Sequence, residues 1–221
     1  MENPAPFIDQ TLLKPETTAA QIAVLCEEAV EYGFASVCLP PAFVTGAANL
    51  LYGSEVKLCT VVGFPCGYST LRQKVVETAD LVALGATEID MVVQVGQLIE
   101  CRYDEVADEI AQVIMAAGDA VVKVIIECCY LVPEIMQRAT ETVVRAGADY
   151  VKTSTGFGPG GARLEDVRLL AQTAAGRIGV KAAGGIRDLE SCQAMMMAGA
   201  SRIGTSAGVK IVDQWKTCQG F

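Results

Sequence analysis

Glycines at positions 33, 53, 85, 118, 147, 176 and 199 punctuate this chain, and they constrain its fold more than any other feature. Most close a helix-like stretch (AVEYG, LVALG, VIMAAG, VVRAG, MMMAG), and a short apolar run follows each. Their spacings of 20, 32, 33, 29, 29 and 23 residues are close to one strand plus one helix apiece. Glycine just past a helix end takes up the left-handed backbone that other residues resist. The runs ASVCLP, VKLCTVV, TEIDMVV, VVKVIIE, DYVKTST, IGVKAAG and SRIGTS, with FIDQTLL at the start, read as eight strands. They lack clean polar alternation, as expected of a parallel sheet covered on both faces. Residues 69–84 predict a helix with Ser69 as N-cap and Leu71, Val75, Ala79 and Val82 on the buried face. Residues 103–117 predict another, capped by Asp104, with Val106, Ile110, Val113 and Ile114 inward. Burial of such faces against the sheet supplies most of a helix's stability.

Eight strands, seven intervening helices and a terminal helix predict a single (β/α)8 TIM barrel, parallel strands alternating with helices, as one domain over 1–221. A doubly wound open sheet would use the same alternation. The similar unit lengths and the lack of GxGxxG after an early strand favour the barrel. No linker, low-complexity stretch or charge block divides the chain.

Composition narrows the chemistry. There is no histidine, which excludes Ser-His-Asp and Cys-His catalysis and most zinc enzymes. A net charge of −9 argues against a nucleic-acid partner. The N-terminal residues do not resemble a secretory signal, and Lys123 and Glu127 break the longest apolar stretch, so no membrane association is expected. The nine cysteines form no CxxC pair, and several sit in apolar strand-like runs as small core residues. A reducing cytoplasm is the compartment expected for such thiols.

Charges inside apolar strands are costly unless paired or functional. Asp90, Lys123, Lys152 and Lys181 are four such cases. Lys152 and Lys181 stand 29 residues apart, which predicts matching positions on adjacent strands, about 4.8 Å from each other. Mutual repulsion and burial are expected to lower both lysine pKa values. A neutral lysine can attack a carbonyl and form a Schiff base, with the second lysine and Asp90 handling protons. The alternative is that a strand lysine pairs with a carboxylate across the barrel and is inert. Gly184-Gly185-Ile186-Arg187 and Gly204-Thr205-Ser206-Ala207-Gly208 follow strands seven and eight, where barrels of this class commonly bind phosphate. Gly156 could add a third contact.

The motifs IDQTLLKP, VVGFPCG, GATEIDMVV, VKVIIE, VKTSTGFG, VKAAGGIR and GTSAG, in that order over residues 8–208, resemble the deoxyribose-phosphate aldolase family. The resemblance implies a class I aldolase on a TIM barrel, cleaving 2-deoxy-D-ribose 5-phosphate to glyceraldehyde 3-phosphate and acetaldehyde. It implies Lys152 as the Schiff-base former, with Asp90 and Lys181 as its proton-handling partners. It further implies Asp9, Thr11, Cys38, Lys123 and Thr155 as substrate-binding residues, and Gly156, Gly184, Gly185, Gly204 and Ser206 as phosphate contacts. Departures from the family pattern are Gln10 for His, Gln94 for Asn, Pro40 for Asn and Cys128 for Thr. They could alter substrate reach, rate or pH dependence. Phe221 stands where many members end in an aromatic, often a tyrosine, that folds over the site; a frayed terminus is the blander expectation.

Two other readings compete with the lyase. A phosphosugar isomerase or synthase would share the phosphate loops but needs an acid–base pair that two lysines supply poorly. A non-catalytic sugar-phosphate sensor would need none of Lys152, Asp90 and Lys181. No metal and no cofactor are expected, because a Schiff base is its own electron sink. The expected partners are small phosphorylated sugar and aldehyde substrates, with a homodimer as the default assembly.

Overall fold

A computed structural model describes residues 2–220; Phe221 lies outside the described residues. Eight parallel strands close into a barrel in chain order: β1 (Ile8–Thr11), β2 (Ser36–Leu39), β3 (Lys57–Val62), β4 (Glu88–Val92), β5 (Val121–Ile125), β6 (Tyr150–Lys152), β7 (Gly179–Ala183) and β8 (Arg202–Thr205). The helices around it are α1 (Ala19–Tyr32), α2 (Val44–Leu50), α3 (Leu71–Ala83), α4 (Val95–Ile99), α5 (Tyr103–Ala117), α6 (Pro133–Ala146), α7 (Leu164–Ala174), α8 (Leu189–Met197) and α9 (Gly208–Gln219). Ile8 on β1 opposes Ile203 on β8, so no strand edge remains in the ring. The predicted barrel is therefore observed, and the open sheet is not. Each strand lies within its predicted run but is shorter than it. In DYVKTST only Tyr150–Lys152 is strand, and residues 153–155 open into the loop above it.

Among the described residues there is one helix more than predicted. The five-residue α4 carries no side-chain cap and is too short for a periodic apolar pattern to register. Two capping assignments are corrected. Thr70, not Ser69, caps α3: its hydroxyl accepts the Gln73 N–H, and the Gln73 side chain accepts the Thr70 N–H at 2.9 Å, a reciprocal capping box. Asp104 is in the first turn of α5, beyond the cap position held by Arg102. There it suits the helix dipole and pairs with Arg145 at 2.8 Å. Gly33, at the end of α1, has φ 69°, the left-handed turn its position predicts.

Alternate strand residues divide between two environments. Val37, Leu39, Ile89, Met91, Val122, Val124, Val151, Val180 and Ile203 are buried in the apolar core that includes Val106, Ile110 and Val113 of α5, with Ile114 partly buried beside it. The intervening positions turn into the barrel and carry most of its charge.

The buried face of α3 is one position off the prediction: Lys74, Thr78 and Leu81 point inward, Leu71, Val75 and Val82 flank them, and Ala79 is exposed. A lysine disguised this face. Lys74 Nζ donates to the Val92 carbonyl at 2.7 Å and pairs with Glu109 of α5 at 2.7 Å. Glu109 also accepts the Gln94 N–H at 3.3 Å. Burial pushes the Lys74 ammonium below its ordinary range and the Glu109 carboxyl above it, against the pull of the pairing. Removing one partner of such a pair strands a buried charge, whereas replacing both with apolar groups is often neutral. We expect Lys74→Met to cost about 3–5 kcal/mol in urea unfolding, and Lys74→Met/Glu109→Leu to recover most of that loss.

Candidate active site

Charge converges inside the barrel through strand register. Lys152 and Lys181 are register partners, as predicted. Lys152 also opposes Ile125, so Lys123 lies two residues earlier on β5 and one layer deeper. Asp90 opposes Lys123, and its carboxylate collects three ammonium groups: Lys152 and Lys181 donate to Oδ2 at 2.7 Å each, and Lys123 donates to Oδ1 at 2.9 Å. Below this, Asp9 pairs with Lys181 at 2.5 Å, Arg202 at 2.7 Å and Lys123 at 3.6 Å. Glu88 holds Lys123 at 2.6 Å and Arg202 at 3.4 Å, and the Arg202 guanidinium lies over the Tyr150 ring. Three carboxylates thus face four cationic groups in a largely buried interior.

This geometry corrects the expectation that burial and repulsion lower the Lys181 pKa. Burial does push Lys181 down, but Asp9 and Asp90 outweigh it and hold the ammonium above its ordinary range. The same contest holds Lys123 charged. Burial pushes Asp9 and Asp90 up, and the surrounding cations overcome it, leaving both well below the ordinary carboxylate range. Asp90, standing between the two lysines, replaces their repulsion by a shared contact.

Above the charged floor opens a cavity of about 380 Å³ at the carboxyl ends of β6, β7, β8 and β1. Of the expected site residues, Lys152, Thr11, Thr155, Gly156, Gly184, Gly185, Gly204 and Ser206 line it. Lys152 is the one member of the ion network on that wall. Asp90, Lys181, Asp9, Lys123 and Cys38 are fully buried and do not line it. The Thr11 hydroxyl donates to the Asp9 carbonyl at 2.8 Å. The Thr155 hydroxyl is engaged as well, donating to Glu127 and accepting the Phe157 N–H at 3.0 Å. Gly184 packs so tightly on Gly161 that a Cβ there would lie 2.9 Å from the Gly161 Cα. Lys14, Phe157 and Arg187 also line the cavity, and Phe157 meets the edge of Phe64 with ring centroids 5.3 Å apart. The sequence motifs contained these three residues without marking them as cavity wall.

Glu88 and Arg202 are floor residues that the sequence motifs do not mark, although both sit in strand-like runs, Glu88 two residues before Asp90. That i, i+2 spacing puts both on one face of a strand and was the available signal.

The four departures lie elsewhere. Gln10 faces outward, accepting the Gly208 N–H at the start of α9 at 3.0 Å and donating to Glu28 at 3.1 Å. Gln94 stands at the N-terminal flank of α4 without a capping side-chain bond, Pro40 precedes a single turn of 3-10 helix, and Cys128 is buried with its N–H on the Thr153 carbonyl at 2.8 Å. None of them lines the cavity.

Cys38, Cys59 and Asp90 bring ligand atoms within 4.8 Å of one another. The set suits a metal ion poorly, because Asp90 already holds three ammonium groups and any cation would stand against them. Burial raises the free Cys59 thiol well above its ordinary range, whereas the hydrogen bond between the two side chains draws the Cys38 thiol down.

The sequence pattern of the DeoC/LacD family of aldolases matches residues 5–214. A deoxyribose-phosphate aldolase of Caldanaerobacter subterraneus subsp. tengcongensis is 55% identical over 217 residues, 97% of this chain and 94% of that protein. One from Syntrophotalea carbinolica is 54% identical over 216 residues, 98% of each chain. Among solved structures, the tetrameric deoxyribose phosphate aldolase from Aeropyrum pernix superimposes with a TM-score of 0.90 at 37% identity, covering 97% of this chain and 91% of that one.

The depressed carboxyls tie stability to pH. Asp9 and Asp90 ionise below about pH 3.9, the value of an unfolded aspartate. Their contribution is therefore complete above that pH and is lost as pH falls toward their folded values. Urea unfolding should show a plateau near neutral pH and a decline below about pH 4. Asp9→Asn should lower the plateau by about 3–5 kcal/mol and flatten the decline. An unchanged acid limb in that variant would contradict the assignment.

Proposed function

Because the chain belongs to the DeoC/LacD family of aldolases, we propose that its barrel cleaves 2-deoxy-D-ribose 5-phosphate reversibly to D-glyceraldehyde 3-phosphate and acetaldehyde through a Schiff base on Lys152. One observation carries the assignment to Lys152. It alone joins the buried ion network to the cavity, 2.7 Å from the Asp90 oxygen that also holds Lys181.

The attacking amine must be uncharged. Once Lys152 has given up its proton, the three carboxylates of the network face three cations. The Lys152 Nζ adds to the C1 aldehyde of the open-chain sugar, and, with one proton returned from the Asp90–Lys181 relay, water leaves to give the protonated imine. The C3 hydroxyl then gives up its proton and the C2–C3 bond breaks. The electron pair moves into the imine as an enamine, and C3 departs as the aldehyde of glyceraldehyde 3-phosphate. Protonation at C2 and hydrolysis release acetaldehyde and restore the amine.

Asp90 and Lys181 are the proton-handling pair in this reading, reaching the sugar through Lys152 or through water in the cavity. Neither lines the wall, which supports a relay over direct contact. The phosphate is assigned to the backbone around Gly156, Gly184, Gly185 and Gly204 and to Ser206, with Lys14 and Arg187 adding positive charge at the rim. Asp9, Lys123 and Cys38 support the floor, while Thr11 and Thr155 shape the wall.

A cytoplasmic setting accords with nine free thiols, five of them buried, and no described helix is long and apolar enough to cross a membrane. Two copies are the expected assembly, with four, as in the Aeropyrum pernix relative, the alternative; light scattering measures which forms.

Borohydride with acetaldehyde should fix an ethyl group on Lys152, located by mass spectrometry, and Lys152→Ala should lose both the adduct and the cleavage while retaining its circular dichroism. Near-normal turnover in that variant would refute the assignment. Lys181→Leu should still trap acetaldehyde at Lys152 but turn over about 10²-fold more slowly. Ser206→Asp should raise KM for the phosphorylated sugar by repelling the dianion, with little effect on unphosphorylated deoxyribose. Equal loss on both sugars would move the phosphate elsewhere.

A further inference from the structure

Glu127 is outside everything assigned so far, and three features set it apart. It is buried, its backbone is left-handed (φ 51°, ψ 69°) although it is not glycine, and among the described residues no cation lies within ion-pair range of its carboxylate. A buried charge held by neutral donors in a disfavoured backbone conformation persists only where its surroundings demand it.

Its partners show what it does. Both carboxylate oxygens accept the Thr155 N–H at 3.2 Å, Oε2 also accepts the Thr155 hydroxyl proton, and the Cys129 thiol lies 3.9 Å from Oε1. With its proton committed to Glu127, the Thr155 hydroxyl presents a lone pair to the Phe157 N–H, which turns the chain at Gly156. Glu127 also lies so close to Gly158 that a Cβ there would be 3.3 Å from its carboxyl carbon. At the far end of the same loop, the Ala162 N–H bonds to the Ala183 and Gly184 carbonyls at 3.1 and 3.0 Å. The β6–α7 loop is therefore fastened to the end of β7 at one side and to Glu127 at the other. Between the two fastenings it presents Gly156 and Phe157 to the cavity, which Glu127 itself does not line.

We infer that Glu127 is a positioning residue that sets the β6–α7 loop in its anion-receiving shape, and so governs affinity for the phosphate end of the substrate rather than the chemistry at Lys152. This rests on the aldolase reading above for the identity of the substrate, but the loop's affinity for phosphate can be measured without any turnover.

The test compares wild type with Glu127→Gln and Glu127→Ala. Calorimetry with inorganic phosphate should show Kd rising about tenfold in Glu127→Gln, which forfeits a charge-assisted hydrogen bond, and further in Glu127→Ala. In steady state, KM for 2-deoxyribose 5-phosphate should rise in parallel with kcat nearly unchanged. Activity on unphosphorylated 2-deoxyribose and the rate of acetaldehyde trapping at Lys152 should hold. Thr155→Val removes the hydroxyl contact and leaves only the backbone N–H on Glu127, so adding Glu127→Gln to it should weaken phosphate binding less than Glu127→Gln does in wild type; this pair decides the matter if Glu127→Ala does not fold. Unchanged phosphate affinity in folded Glu127→Gln, additive losses in the double variant, equal losses on both sugars, or wild type that binds no phosphate would each overturn the inference. Failure of borohydride trapping in wild type would instead refute the aldolase reading and leave the calorimetric result standing on its own.

Discussion

The carboxylate of Asp90, shared by three lysines inside a closed barrel, is the contact on which the rest depends. An isolated ammonium or carboxylate at that depth would shed or take up a proton, because desolvation costs several kcal/mol per ion. Here each charge pays for its neighbour's burial. Asp90 answers Lys123, Lys152 and Lys181; Asp9 answers Lys181 and Arg202; Glu88 answers Lys123 and Arg202. The chain of pairs runs from Arg202 to Lys152, and only at Lys152 does it open onto space large enough for a small sugar phosphate.

Such an interior requires a scaffold that does not yield. Strand residues facing away from the axis provide it, being almost wholly aliphatic and packed against helix faces such as Val106, Ile110 and Val113. Barrel closure matters as much, since every strand has two neighbours and no charged side chain can swing out through an edge. The Lys74–Glu109 pair performs a related task outside the ring, joining α3, α5 and the end of β4 where the loops of the upper face begin. Two chemistries are thereby separated. In the proposed reaction, covalent chemistry falls to a strand, where register fixes Lys152, and anion recognition falls to loops rich in glycine, where backbone N–H groups can approach closely.

The barrel was legible from sequence because glycine after each helix and apolar runs at a repeating interval leave few alternatives. The pairing of Lys152 with Lys181 was legible for the same reason: equal offsets within adjacent repeats become register partners. The inward face of α3 was not, because Lys74 reads as a surface residue until Glu109, 35 positions later, is known to face it. Glu88 and Arg202 are not legible as floor residues, because each lies near the start of its run, where a charge reads as the strand's solvated end.

Sequence alone thus determined the element order, the strand lysines and the glycine-rich turns, all of which are local or periodic properties. Tertiary structure alone decided the electrostatics. Two lysines on adjacent strands should repel, and they would if nothing stood between them. Asp90, from a strand two places away from Lys152 around the ring, turns the repulsion into a shared contact, and Asp9 together with Asp90 holds Lys181 charged. Glu127 follows the same rule: in the sequence it is one acidic residue ending an apolar run, and only the fold brings it beneath Thr155. Charge interactions depend on distance and dielectric, and neither exists until the barrel closes.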